Sequence, residues 1–130
     1  MEKNRQAGST IMLVEDDELN RTMLRQLLQK CGYRVVEAGN GPEALEVASR
    51  EHPIIILMDL DLPGLDGIGA TRRIREQAEL REIPILMTTA FDTPEIREAA
   101  YDAGCNEFLV KPLDPTKLKK LISSFSLESR

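Results

Sequence analysis

The sequence has few of the residues on which several kinds of site and scaffold depend. Two cysteines among 130 residues cannot build a disulfide framework, and they do not form a Cys-x-x-Cys pair. A single histidine, His52, argues against a histidine-rich metal site and against a serine–histidine–aspartate triad. No apolar run is long enough to span a membrane, and residues 1–10 lack the apolar stretch of a signal peptide. These absences favour a cytoplasmic protein.

Basic residues are also in the minority. The chain carries 17 basic and 22 acidic side chains, and its formal net charge is -5. This balance gives no general attraction to nucleic acid or to an anionic membrane, so we expect neither as a partner. A length of 130 residues suits one domain. We place that domain at residues 10–125, between a flexible N-terminus at residues 1–9 and a C-terminal tail at residues 126–130.

Short apolar runs alternate with amphipathic segments along the chain. The runs predict five strands, at residues 11–14, 33–38, 54–58, 85–89 and 108–110. The amphipathic segments predict five helices, at residues 19–31, 43–50, 68–77, 94–103 and 118–125. The strict alternation predicts an α/β fold, with a doubly wound five-stranded parallel sheet and five helices on its two faces. In such folds, ligands bind at the carboxyl ends of the strands.

Charged and hydroxyl side chains collect at the predicted strand ends. They are Glu15, Asp16 and Asp17 after the first strand, Asp59 after the third, Thr88 and Thr89 at the fourth, and Lys111 after the fifth. Crowded carboxylates are costly to bury unless a cation neutralises them, and their oxygens suit Mg2+. Helix capping is an alternative that fits Asp17 but does not explain Lys111. A carboxylate beside Mg2+, a hydroxyl and an ammonium group is suited to phosphoryl transfer, with Asp59 as the acceptor.

Four segments, in this order and spacing, resemble the receiver domains of two-component response regulators, in particular the single-domain chemotaxis regulators. They are residues 11–17 (IMLVEDD), 54–67 (IIILMDLDLPGLDG), 85–90 (ILMTTA) and 103–112 (AGCNEFLVKP). The resemblance extends from about Ile11 to Phe125 and implies a flavodoxin-like fold. It also implies a phosphoacceptor that receives its group from a histidine kinase or a histidine phosphotransfer protein. The phosphorylated form would then change its contacts with an unknown downstream protein.

The resemblance implies a role for each acid at the strand ends. Asp59 matches the phosphorylated aspartate, which is also a metal ligand. Asp16 matches a second direct ligand of Mg2+, with Mn2+ as an alternative ion. Asp61 would bind the metal through its backbone carbonyl, and Glu15 would bind it through a water molecule.

The resemblance also implies roles for residues of the last two strands. Thr89, Ala90 and Lys111 match the residues that bind the phosphoryl group: a hydroxyl, a small side chain that leaves room, and an ammonium group. Thr89 and Phe108 match the switch pair of the family, in which the aromatic ring turns inward when the threonine moves. Phe108 lacks the hydroxyl of the tyrosine that the family often has at this position, so its ring cannot make a hydrogen bond through a hydroxyl. The bond between Lys111 and Pro112 is expected to be cis.

The implied chemistry is confined to the protein's own aspartate. We expect Mg2+-dependent self-phosphorylation from a donor and self-dephosphorylation, and therefore no enzyme with a separate substrate. We also expect a monomer or a weak, phosphorylation-dependent dimer.

Three alternatives remain open. The chain could be the receiver piece of a hybrid histidine kinase, or a pseudo-receiver that only binds partners. It could also be a phosphatase of the haloacid dehalogenase type, because Asp59 and Asp61 form an Asp-x-Asp pattern. Those phosphatases carry the nucleophile on an early strand with an acidic pair after it, whereas here Glu15 and Asp16 come first.

Overall fold

One sheet of five parallel strands forms the middle of the fold in the computed structural model, which describes residues 9–62 and 66–128. The strands are β1 (Thr10–Val14), β2 (Arg34–Ala38), β3 (Ile55–Asp59), β4 (Ile85–Thr89) and β5 (Glu107–Val110). Their order is β2-β1-β3-β4-β5. The chain therefore leaves β1 and β3 towards opposite edges, and the switch point of the sheet lies between these two strands. The fold class predicted from the sequence is confirmed.

Five helices connect or follow the strands. They are α1 (Glu18–Lys30), α2 (Gly41–Glu51), α3 (Gly67–Glu76), α4 (Pro94–Ala103) and α5 (Pro115–Glu128), with a short 3-10 helix at Ala78–Leu80 that the sequence pattern did not predict. The first four helices begin at side chains that accept a hydrogen bond from the backbone, namely Asp17, Asn40, Asp66 and Thr93. The capping role predicted for Asp17 is thus confirmed, and it leaves Glu15 and Asp16 outside the helix.

Each face of the sheet is covered by helices. Met12 and Val14 of β1 pack with residues of α2, α3 and α4, whereas Ile11 and Leu13 pack with α1 and α5. Strands that are buried on both faces have continuous apolar sequences, because successive side chains point to opposite faces. The short apolar runs of the sequence follow from this arrangement.

The apolar side chains of α1 divide into two groups. Leu28 is buried and Leu24 and Leu27 pack beside it, but Leu19 is 70% exposed and Met23 is 58% exposed. The amphipathic pattern correctly predicted a helix, yet the apolar residues in the first half of α1 do not join the core.

The two ends of the chain differ in how much the structure describes. The predicted flexible N-terminus lies outside the described residues except for Ser9. At the other end, α5 runs to Glu128 and Ser126 is buried, so that the helix includes three residues of the predicted tail. Residues 129–130 lie outside the described part. No helix in the described ranges is long and apolar enough to cross a membrane.

Candidate functional site

The residues predicted to form the site meet at one edge of the sheet. Glu15 follows β1, Asp59 ends β3, Thr89 ends β4 and Lys111 follows β5. The strand register pairs Val14 with Met58, Asp59 with Thr88, and Thr89 with Val110. Because these pairs align the carboxyl ends of four strands, side chains that are far apart in the sequence lie next to each other.

Three carboxylates crowd together at this edge. Glu15, Asp16 and Asp59 each offer an oxygen atom, and these atoms all lie within 4.8 Å of one another. Glu15 and Asp59 are buried, whereas Asp16 is exposed. The Nζ atom of Lys111 lies 3.3 Å from Oδ2 of Asp59 and 3.5 Å from Oε1 of Glu15. One ammonium group cannot neutralise three carboxylates, so the cluster fits a divalent cation with oxygen ligands.

The electrostatics of this cluster change the protonation of Glu15 and Lys111. The pKa of Glu15 is raised from 4.5 to about 7, chiefly by burial and also by the charge of Asp59, while the charge of Lys111 partly opposes the rise. Burial by itself lowers the pKa of Lys111, but the carboxylates of Asp59 and Glu15 outweigh burial and raise it. Lys111 is therefore charged at neutral pH, and Glu15 is partly protonated while no cation is bound.

Asp59 and Thr89 are connected through Asp61. The backbone N–H of Asp61 donates to Oδ1 of Asp59 at 3.2 Å, which leaves Oδ2 to face Lys111. The hydroxyl of Thr89 donates to Oδ2 of Asp61 at 3.4 Å and accepts from the backbone N–H of Phe91 at 3.1 Å. The carboxylate of Asp61 therefore lies towards Thr89, apart from the cluster formed by Glu15, Asp16 and Asp59.

The segment after β5 is joined to the end of β4. The backbone N–H of Lys111 donates to the carbonyl oxygen of Thr89 at 2.8 Å. The Lys111–Pro112 peptide bond is cis. Phe108 pairs with Met87 of β4 and is 6% exposed, so its ring lies in the core. Ala90 is exposed beside the site.

Gly67 is a part of the site to which the sequence analysis assigned no role. A Cβ atom on Gly67 would lie 2.5 Å from the carbonyl oxygen of Asp59 and 2.7 Å from Cα of Leu60. The backbone N–H of Gly67 also donates to the carbonyl of Leu60 at 2.9 Å. The start of α3 therefore packs directly on the backbone of Asp59, where only glycine fits.

Arg21 is a second residue that sequence reasoning missed. Its Nη1 donates to the backbone carbonyl of Glu15 at 3.1 Å, and its Nε lies 3.8 Å from Oε1 of Glu37 on β2. Arg21 thus holds the segment between β1 and α1 that carries the acidic residues. An arginine on an amphipathic helix gives no sequence signal for such a contact, because the contact depends on how α1 packs against β1 and β2.

A groove of about 620 Å³ opens next to the carboxylate cluster. Met23, Leu24 and Leu27 of α1 form one wall, and the segment from Pro112 to Leu118 forms the other. Glu15, Ala90 and Lys111 also line it, so the groove is continuous with the site. The exposed Met23 therefore belongs to an apolar surface that leads to Asp59.

Known proteins share the sequence pattern and the fold of this chain. A family model described as the response regulator receiver domain matches residues 11–123. The polar-differentiation response regulator DivK of Brucella ovis is 35% identical over 116 residues, which cover 89% of this chain and 94% of that protein.

Two solved structures share the fold over nearly their whole length. The chemotaxis protein CheY4 of Vibrio cholerae is 31% identical with a TM-score of 0.86, and the match covers 92% of this chain and 99% of that one. The receiver domain of a sensor histidine kinase from Pseudomonas aeruginosa, solved with a magnesium ion in its active-site cleft, is 39% identical with a TM-score of 0.85 over 92% of this chain and 98% of that one.

The family model and these relatives each match more than four fifths of the chain. Receiver domains are phosphoacceptors and not enzymes, and they interact with a histidine kinase or a phosphotransfer protein. The haloacid dehalogenase alternative fits the matches less well than a phosphoacceptor switch does. The chain belongs to the response regulator receiver domain family.

Proposed function

We propose that Asp59 is the residue that accepts the phosphoryl group from a histidine kinase or a histidine phosphotransfer protein. One observation carries the proposal: Oδ2 of the buried Asp59 faces Lys111 within a cluster of carboxylates. In the transfer, a carboxylate oxygen of Asp59 forms a bond to phosphorus while the bond between phosphorus and the donor's histidine nitrogen breaks. The product is an acyl phosphate on Asp59 and a free histidine on the donor.

Mg2+, with Mn2+ as an alternative, is the proposed cofactor of this step. Asp16 and Asp59 would bind the ion directly, Asp61 would bind it through its backbone carbonyl, and Glu15 would bind it through water. The uncompensated negative charge around Lys111 supports this assignment. When bound, the ion would neutralise charge on the oxygens of the transferred group.

Three residues at the carboxyl ends of β4 and β5 are proposed to hold the phosphoryl group. Lys111 would pair with one of its oxygens, since the ammonium group already lies 3.3 Å from Asp59. The Thr89 hydroxyl would turn from Asp61 to a second oxygen, and the small side chain of Ala90 would leave room for the group. The turn of Thr89 gives up its bond to the N–H of Phe91, so the segment after β4 changes its contacts.

The partner that donates the phosphoryl group is proposed to bind at the apolar groove between α1 and the segment after β5. We propose a helix that carries the phosphorylated histidine as the occupant, because Glu15, Ala90 and Lys111 of the site line the same groove. The exposed Leu19 and Met23 offer apolar contacts on the α1 side. Such a helix would place its histidine next to Asp59.

The remaining features of the proposal are a cytoplasmic location, an unidentified downstream protein, and a monomer or a weak dimer that depends on phosphorylation. Self-phosphorylation from small donors and self-dephosphorylation complete the proposed chemistry. The same residues would act in a free-standing regulator or within a hybrid histidine kinase, since both contain the same domain.

Labelling with radioactive acetyl phosphate and Mg2+ tests the assignment of Asp59. The unchanged protein should take up label that is lost in alkali, as an acyl phosphate is, and Asp59→Ala should take up none. Asp102→Ala is the matched control, since Asp102 is an exposed aspartate on α4 and should leave labelling unchanged. Labelling that persists in Asp59→Ala would contradict the assignment, and repeated hydrolysis of phosphomonoesters would restore the phosphatase alternative.

A further inference from the structure

Arg97 of α4 covers the ring of Phe108. Its guanidinium carbon lies 4.8 Å from the centre of the ring, a distance typical of a cation–π contact. The ring itself is 6% exposed. Phe108 thus has a cation on its face, although it lacks a hydroxyl that could hold the ring by a hydrogen bond.

Asp92 fixes the direction of this guanidinium. Nη2 of Arg97 lies 3.0 Å from both Oδ1 and Oδ2 of Asp92. The side chains of Arg97 and Asp92 are 45% and 42% exposed, and an ion pair at such a surface contributes little to stability. In the structure the guanidinium that is paired with Asp92 lies above the ring of Phe108.

Asp92 also belongs to the segment that joins Thr89 to α4. It stands three residues after Thr89 and one after Phe91, whose backbone N–H donates to the Thr89 hydroxyl at 3.1 Å. α4 begins two residues later, at Pro94. Asp92 therefore lies between the hydrogen bond of Thr89 and the start of α4 along the chain.

We propose that Arg97 couples the segment between β4 and α4 to the ring of Phe108. Asp92 orients the guanidinium, the guanidinium covers the ring, and a displacement of Asp92 therefore changes the packing of Phe108. Arg97 is a positioning residue: it holds the ring of Phe108, which has no hydroxyl to hold it by a hydrogen bond. This inference rests on the proposed function, because the displacement begins when Thr89 turns towards the phosphoryl group.

The three phenylalanines of the chain allow a direct test by NMR, with 13C-labelled phenylalanine rings. Phe91 reports on the segment after Thr89, Phe108 reports on the ring beneath Arg97, and Phe125 of α5 is the remote reference. Mg2+ and beryllofluoride, which stands in for the phosphoryl group on Asp59, are added to saturation. In the unchanged protein, the signals of Phe91 and Phe108 should both shift, while that of Phe125 stays in place.

The variants separate the coupling from the binding of beryllofluoride. In Arg97→Met, the Phe91 signal should shift as before, while the shift of Phe108 should fall clearly. Loss of a cation–π contact at a partly exposed position should change the ratio of the populations of two ring orientations about two- to fivefold. Asp92→Asn should reduce the Phe108 shift in the same direction, because its neutral amide no longer fixes Arg97. Arg50→Met is the matched control, since it removes a surface ion pair with Glu51 that involves no ring.

Each outcome of this experiment decides a different point. A Phe108 shift in Arg97→Met that equals that of the unchanged protein would overturn the coupling. An unchanged shift in Asp92→Asn would overturn the part assigned to Asp92. If no signal of the unchanged protein moves, beryllofluoride does not bind, and the proposed function fails together with the coupling.

Discussion

Glu15 is buried where a negative charge is unfavourable, and this predicts a dependence of stability on pH. Its pKa is about 7 in the folded protein without metal, whereas a glutamate in water, as in the unfolded chain, has a pKa of 4.5. A carboxyl group whose pKa is raised by folding contributes stability that is fully present below the ordinary pKa and is lost as pH rises through the folded pKa. The window for Glu15 therefore runs from pH 4.5 to about pH 7.

The substitution Glu15→Gln removes this unfavourable charge. In the presence of a chelator at pH 8, the variant should have a free energy of unfolding about 1–3 kcal/mol higher than that of the unchanged protein. At pH 5 the difference should shrink, because Glu15 is then mostly protonated in the folded protein. Urea denaturation at the two pH values measures both differences. A variant that is less stable at pH 8 would show that the charge of Glu15 is favourable in its site.

Gly67 should be required for the position of Asp59. In Gly67→Ala the new methyl group would meet the backbone of Asp59 and Leu60 at 2.5 and 2.7 Å, so either β3 or α3 must shift. We expect a loss of about 1–3 kcal/mol in the free energy of unfolding and weaker Mg2+ binding. Urea denaturation and a Mg2+ titration measure the two effects.

Gly32→Ala separates strain from damage to the site. Gly32 has a φ of +97°, and a Cβ atom at this position would have no neighbouring atom within 4 Å, so alanine there is strained without a clash. It should lower stability but leave Mg2+ binding unchanged. Equal Mg2+ affinities for Gly67→Ala and the unchanged protein would contradict the role given to Gly67.

The elements of this fold were predictable from the sequence to different degrees. β4 and α4 have the predicted limits, because Pro84 and Gly104 bound the apolar pattern and local geometry decides those ends. The strand ends that carry Glu15, Asp59 and Lys111 were predictable for a similar reason, since each acid or lysine directly follows an apolar run.

Burial on α1 and α3 was not predictable from the pattern of one element. Leu19 and Met23 match the apolar spacing of α1 but are exposed, because the core ends at Leu24 and Leu27. Arg75 shows the opposite case, because a charged residue close to Arg72 and Arg73 in the sequence would be expected to face solvent. Arg72 and Arg73 are exposed, but the side chain of Arg75 turns towards neighbouring segments. Such contacts depend on tertiary packing, which the spacing of residues within a helix does not contain.

Arg75 joins α3 to the segments before β4 and β5, and we expect it to stabilise the fold. It donates to the carbonyl oxygens of Ile83 at 2.8 Å and Gly104 at 3.0 Å, and to Oδ1 of Asn106 at 2.9 Å. Arg75→Met leaves these acceptors without the guanidinium and should lower the free energy of unfolding by about 2–4 kcal/mol. Arg73→Met, on the exposed face of α3, should change it by less than about 0.5 kcal/mol. Urea denaturation of both variants gives the comparison, and equal stabilities would contradict the role of Arg75.

The acidic excess of the molecule is concentrated in part at one edge of the sheet, so Mg2+ should stabilise the whole domain. The formal net charge is -5, and Glu15, Asp16 and Asp59 contribute to it from a single cluster. An ion that binds the folded chain and not the unfolded chain raises the unfolding temperature by mass action. Protonated Glu15 opposes this binding, and its pKa of about 7 sets the range in which it does so.

Thermal unfolding with and without Mg2+ should therefore depend on pH. We expect Mg2+ to raise the unfolding temperature more at pH 8, above the pKa of Glu15, than at pH 6, below it. Asp16→Asn should reduce this rise in unfolding temperature at both pH values, because it removes a carboxylate of the cluster. Sodium chloride at equal ionic strength is the control for general screening of charge. In Glu15→Gln, the rise at pH 8 should equal that at pH 6, since no carboxyl group then titrates at this position. A rise that is larger at pH 6 in the unchanged protein would mean that protonation of Glu15 assists the ion, contrary to the electrostatics of the cluster.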